Sequence, residues 1–213
     1  MSEFKIDLDN WERKELYDHF LHTEKPFWSV TFRADVTELK RYSREHHLSF
    51  YHVMVWAVSE AMNRTDAFLY TIRPDGIWHL DKRYPSFTYM PENSSLFRIA
   101  TVDSDVNTPR EFCRAAAGIT STQECFLVES KESDQLIFIS CLPWIDVTGL
   151  TNEGMTDPAD SIPRITWGKY EKENGRLVLG MSLEVNHRLI DGVHISEFYR
   201  NFRNILENLP QKI

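Results

Sequence analysis

Two side chains near the C-terminus could do proton chemistry: His187 and, four residues on, Asp191, which is followed by Gly192. A base working near neutral pH is best an imidazole kept neutral, held in one orientation and shielded from water. A carboxylate at the following turn can cap a helix or meet a cation, and if buried it needs such a partner. Taken alone the pattern fits two readings. One is a catalytic base with its support; the other is a core histidine bonded to a carbonyl, beside an aspartate that only caps a helix. Ser140 is the third candidate, because it sets a hydroxyl inside the apolar run Leu136 to Leu142. A donor fixed in such a wall can stabilise an oxyanion as it forms. Cys113, Cys125 and Cys141 are odd in number and unclustered, so they read as small buried hydrophobes; no metal site and no disulfide framework is expected.

These groups need elements to hold them. Residues 176–187 alternate strictly, Leu177, Leu179, Met181, Leu183 and Val185 against Val178, Gly180, Ser182, Glu184 and Asn186, so a strand delivers His187 at its end on the apolar, protein-facing row. Beyond Gly192, Ile195, Phe198, Phe202, Ile205 and Leu206 recur at helical spacing and predict a helix with one face on the sheet. The run 136–142 predicts a strand buried on both faces. Asp9-Asn10 is a good cap for a helix over about 10–21, and a short surface helix is expected over 37–42. Residues 50–62 are apolar around most of a helix. Pro74-Asp75-Gly76 between 69–72 and 77–80 signals a hairpin, with strands at 28–32, 86–90, 97–100 and 164–170 and a turn at Asn174-Gly175. Asn107-Thr108-Pro109 opens a helix over 109–117, and 151–163 is an acidic loop.

The totals narrow the class. At 213 residues with 42% hydrophobic side chains, the chain can bury a sizeable core, and a single domain over 1–213 is expected. A net charge of −8 without a basic tract argues against a nucleic-acid binder. The N-terminus lacks the apolar centre of a secretory signal and no run of 18 apolar residues occurs, so a soluble, cytoplasmic protein without membrane association is expected.

Over nearly its whole length the chain resembles the chloramphenicol acetyltransferase family, within the CoA-dependent acyltransferases. The resemblance rests on ordered blocks: Trp11-Glu12-Arg13-Lys14-Glu15, Phe50-Tyr51-His52-Val53-Met54, Pro85-Ser86-Phe87-Thr88, Ser140-Cys141-Leu142-Pro143-Trp144, Gly168-Lys169-Tyr170 and Asn186 to Phe198. It implies an α/β fold, a two-layer α+β sandwich with a mixed sheet covered by helices, assembled as a homotrimer with active sites at subunit interfaces. It implies acetyl transfer from acetyl-CoA to a hydroxyl of chloramphenicol or a similar small alcohol, and with it a part in antibiotic resistance. His187 would be the general base, Ser140 the oxyanion donor and Thr166 a helper acting through water. Asp191 would pair with Arg13 to hold the active-site loop. Tyr51, Lys169 and Tyr170 would line the path of the CoA chain. Phe20, Glu24, Trp28, Phe97, Ile99, Phe138 and Leu150 would form the acceptor pocket.

The match frays at that pocket. Phe20 replaces a tyrosine, Glu24 puts a carboxylate at an apolar position, and Phe138 replaces a polar residue. Asn186 stands where the family usually has a second histidine; its side chain should point the opposite way from His187, so the change is expected to matter little. Two other readings fit the same residues. His187-Arg188-Leu189-Ile190-Asp191-Gly192 is also similar to the His-Arg-x-x-Asp-Gly of dihydrolipoamide acyltransferase catalytic domains, which would make the acceptor a thiol. Those enzymes normally carry a lipoyl domain and a linker ahead of the catalytic domain. The other is a catalytically silent trimer that binds a small molecule.

Overall fold

The computed structural model of the chain describes residues 2–152 and 157–209. Among the described residues, ten strands and five α-helices follow one another in the order β1 (Phe4–Lys5), α1 (Lys14–Leu21), β2 (Phe27–Asp35), α2 (Thr37–Glu45), α3 (Phe50–Asn63), β3 (Tyr70–Arg73), β4 (Gly76–His79), β5 (Tyr84–Tyr89), β6 (Arg98–Thr101), α4 (Pro109–Thr122), β7 (Leu136–Leu142), β8 (Arg164–Gly168), β9 (Glu171–Glu173), β10 (Arg176–Asn186) and α5 (Gly192–Glu207). The larger sheet runs β2-β10-β8-β7-β5-β6, with β9 paired to β10, and a small sheet runs β1-β4-β3. β7 is parallel to both β5 and β8 while the remaining pairs are antiparallel, which makes the large sheet mixed.

Register gives the two faces opposite character. One row across six strands reads Val30, Leu183, Ile165, Ile139, Phe87 and Ala100. Five of these six are fully or almost fully buried, and all join the core with α3 and α5. The rows on either side are polar. Thr31, Ser182, Thr166 and Ser140 stand abreast, and Ser140 hydrogen-bonds to Thr88 on β5. The next polar row is Ser29, Glu184, Arg164, Phe138, Ser86 and Thr101. Because side chains alternate with period two, a one-residue slip would drive these hydroxyls into the core, so burial of the apolar row fixes the register. β7 therefore corrects the expectation of a strand buried on both faces. Ile137 and Ile139 meet the core, whereas Phe138, Ser140 and Leu142 line open cavities. The strand reads as uniformly apolar because the cavity is apolar too.

Four other expectations shift. The first helix begins at Lys14, because Asp7 accepts from the Asp9 backbone and the Asn10 side chain and turns Leu8–Asn10 into a separate 3-10 turn. α4 runs through Gly118 to Thr122, opened by a full capping box between Thr108 and Glu111. β8 ends at Gly168 rather than continuing to Tyr170. A side chain there would meet the Ile145 carbonyl at 2.5 Å, and Lys169 instead donates to that carbonyl at 2.7 Å. Cys125 is exposed and Cys141 half-buried, so of the three free cysteines Cys113 alone is a buried hydrophobe. Asn174 and Gly175 both have positive φ, the two-residue turn that joins β9 to β10. Of the acidic loop expected over 151–163, positions 153–156 lie outside the described residues.

Candidate active site

His187 follows directly on the last residue of β10. Its backbone N–H donates to the Pro26 carbonyl at 2.7 Å, and its ring meets Phe20 and Trp28 edge-on at centroid distances of 4.2 and 4.9 Å. Burial lowers its pKa below the ordinary 6.5, and the nearby Arg13 guanidinium pushes the same way against the opposing pull of Asp191. The imidazole is thus neutral at neutral pH and wedged between two aromatic rings. Those are the properties a proton acceptor requires.

The turn after it is clamped from several sides. Arg13, buried at the N-cap of α1, donates to Asp191 at 2.6 Å and to the carbonyls of His187 and Arg188 at 3.4 and 3.3 Å. The expected pair between Arg13 and Asp191 is present, and the guanidinium holds the histidine's own backbone as well. Asp191 also caps α5: one carboxylate oxygen accepts from the Val193 N–H, while its own N–H donates to Nδ1 of His194. Burial alone would raise the Asp191 pKa, but Arg13, His194 and the Val193 N–H together hold it below the usual carboxylate value. The Trp28 indole donates to the Ile190 carbonyl, so the residue expected only to line a pocket also braces this turn.

Two neighbours of His187 matter more than sequence reading implied. Arg188 is buried and donates to the carbonyls of Phe20, Leu21 and Thr23, closing the free end of α1 and pressing Phe20 onto the imidazole. The Asn186 side chain does point away from His187, but it is buried and donates to Pro158 and Asp160, fastening the loop ahead of β8. Removing the side chain would cost these two part-buried hydrogen bonds.

Ser140 and Thr166 sit elsewhere, on the polar face of the sheet, where two cavities meet. The first, of about 770 Å³, is lined by Phe50, Tyr51, Trp144, Trp167, Lys169 and Tyr170 among others, and the second, of about 510 Å³, by Phe97, Ile99, Phe126, Phe138, Leu150 and Thr166. Ser140 and Thr88 line both. The Tyr51 hydroxyl is committed to the Thr88 carbonyl at 2.6 Å and its pKa is pushed up by burial. Lys169 reaches Glu171, while Lys40, which sequence reading missed, stands over the rings of Phe50 and Tyr170 at 5.2 and 5.3 Å. The segment after Trp144 crosses this face so closely that a side chain on Gly180 would meet the Val147 carbonyl at 1.6 Å. Ser182 donates to the Leu150 carbonyl and ties the same segment down.

The residues expected in one pocket therefore fall into two groups. Phe97, Ile99, Phe138 and Leu150 gather with Ser140 and Thr166, whereas Phe20 and Trp28 surround His187 and Glu24 is exposed. Five residues along β10 and two strands across, His187 lies roughly 20 Å from Ser140 in the same chain. Among the described residues no cluster of His, Cys, Asp or Glu could hold a metal ion, and no helix is long and apolar enough to cross a membrane.

The family model for chloramphenicol acetyltransferase matches residues 1–203. The chain belongs to the chloramphenicol acetyltransferase family. A chloramphenicol acetyltransferase from Clostridium perfringens is 27% identical over 206 residues, covering 95% of this chain and 94% of that protein. A solved chloramphenicol acetyltransferase structure superposes with a TM-score of 0.88 at 26% identity over 96% of this chain and 99% of that one. A probable dihydrolipoamide acetyltransferase from Listeria monocytogenes shares the fold at TM-score 0.68 with 13% identity, covering 98% and 95% of the two chains. Family membership thus extends across both groups of site residues, from the Arg13 clamp to the His187 turn.

Proposed function

We propose that the protein is an acetyl-CoA-dependent O-acetyltransferase acting on a hydroxyl of chloramphenicol or a similar small alcohol. The observation that carries this reading is Ser140 at the junction of two cavities of different character. The first has aromatic walls with Lys169 and Lys40 at hand, which suits a long, partly apolar thioester bearing phosphates. The second, ringed by Phe97, Phe126 and Phe138, suits a compact aromatic alcohol. A thioester carbonyl at the junction would have its oxygen beside the Ser140 hydroxyl.

His187 is the general base in this reading. Its ring takes the proton of the acceptor hydroxyl as the oxygen attacks the thioester carbon, and the carbonyl electrons move onto the oxygen facing Ser140. Collapse expels the CoA thiolate, which recovers the proton from the imidazolium, leaving an acetyl ester and free CoA. The separation of His187 from Ser140 within one chain supports a homotrimer in which a neighbouring copy brings its histidine to this cavity. Tyr51, Lys169 and Tyr170 bind CoA, and Phe97, Phe138 and Leu150, with Phe20, Glu24 and Trp28 brought beside His187 by the neighbouring copy, bind the acceptor. Thioester loss from acetyl-CoA with chloramphenicol, with dihydrolipoamide and with neither tests the proposal. Chloramphenicol-dependent loss is expected; loss only with the dithiol, or none with either, rejects it.

A further inference from the structure

Asn152 lies on the segment that Ser182 ties to the sheet, and it lines the second cavity beside Thr166. Its Oδ1 accepts the Thr166 hydroxyl proton at 3.0 Å. Its Nδ2 is buried and has no partner among the described residues. Among the described residues the amide is therefore engaged through its oxygen alone. A threonine hydroxyl has one proton and two lone pairs, so once the proton is committed Thr166 can only accept. Thr166 is itself buried on a rigid central strand, which leaves its hydroxyl rotor as its one adjustable feature.

We infer that Asn152 is a positioning residue that sets acceptor specificity. By taking the Thr166 proton it turns the lone pairs of Thr166 to the acceptor cavity, so the site favours acceptors carrying a second hydroxyl or amide N–H near the hydroxyl that is acylated. An otherwise similar mono-alcohol leaves those lone pairs unmet. A site built to pair with a polar group discriminates strongly against a ligand lacking it, because its own buried group goes unpaired. The rest of the lining joins aromatic and aliphatic side chains to Ser86, Thr88, Glu132, Ser140, Thr151 and Arg164, so substitutions at Asn152 isolate the share of discrimination that runs through Thr166. This inference rests on the acyltransferase reading above.

The test compares kcat/KM for chloramphenicol, which carries a second hydroxyl and an amide, with that for a nitrophenyl propanol that has neither. Asn152→Leu frees the Thr166 rotor and should lower the chloramphenicol-to-propanol ratio roughly 10-fold or more. Asn152→Asp keeps an acceptor for the Thr166 proton, exchanging the amide for a carboxylate, and should hold the ratio well above that of Asn152→Leu. Either an unchanged ratio in Asn152→Leu or an equal fall for both acceptors in both variants overturns the inference. So does an Asp variant that shifts the ratio as far as Leu, because an acceptor for the Thr166 proton would then not preserve the preference. Thermal melting confirms that each variant is folded. Binding of both alcohols, followed by tryptophan fluorescence, reads the same ratio without turnover. Loss of the binding preference in Asn152→Leu upholds the inference even if wild-type enzyme fails to release CoA, an outcome that would reject only the proposed function.

Discussion

At the scale of single residues the proposed mechanism depends on a neutral His187 and on an Asp191 paired with Arg13. His187→Ala should reduce kcat by about 10² to 10⁴ while leaving the fold intact, which paired measurements of turnover and melting will check. The acid limb of kcat/KM should lie below pH 6.5, because burial and Arg13 both lower the His187 pKa and the imidazole stays neutral to lower pH. Arg13→Ala removes the second of these effects and takes from Asp191 its arginine partner, leaving it the Val193 N–H and His194, so the acid limb should move upward and stability should fall by about 1–3 kcal/mol. A limb that stays in place would mean that Arg13 acts only as a structural clamp.

Among the elements, the crossing segment after Trp144 is the most constrained. Gly168 and Gly180 lie beneath its backbone, and a Cβ at either would collide with main-chain atoms that have no rotamer to yield. Gly180→Ala should cost about 1–3 kcal/mol and displace Leu150 and Asn152 from the second cavity. Denaturant melts together with KM for the acceptor will detect both effects; KM for acetyl-CoA should change less. The secondary structure was largely legible, since alternation marked β10 and helical spacing marked α5. Element ends were less so. Whether a helix begins at Asn10 or at Lys14 turns on which side chain Asp7 binds, and whether β8 stops at Gly168 turns on a segment distant in sequence.

For the whole molecule, the proposed base His187 and the proposed oxyanion donor Ser140 lie on different parts of one chain. A mixture of His187→Ala and Ser140→Ala subunits, each strongly impaired alone, should recover activity when refolded together, because some interfaces then pair a native His187 with a native Ser140. Failure to recover in verified mixed assemblies would mean that each chain completes its own site. Stability should fall on acidification from the ordinary imidazole range downward. His187 and His194 both have lowered pKa values, burial being the first cause in each, so the unfolded chain binds protons there before the native one does. A second loss follows as pH drops through the lowered Asp191 value, where the contribution of its ion pair disappears.

The sequence by itself determined the strand that carries His187 and the helix that Asp191 caps, because these rest on local periodicity, and the family with the partnership of Asp191 and Arg13 that it implies, because its motifs stand in order along the chain. Tertiary structure alone decided the rest. The hydroxyl row of Thr31, Ser182, Thr166 and Ser140 exists only once four strands are in register, and nothing in any one strand marks it. Arg188 and Asn152 gain their roles from carbonyls and hydroxyls that the fold brings to them. Hydrogen bonds and steric contacts act over a few ångströms in space, whatever the distance along the chain.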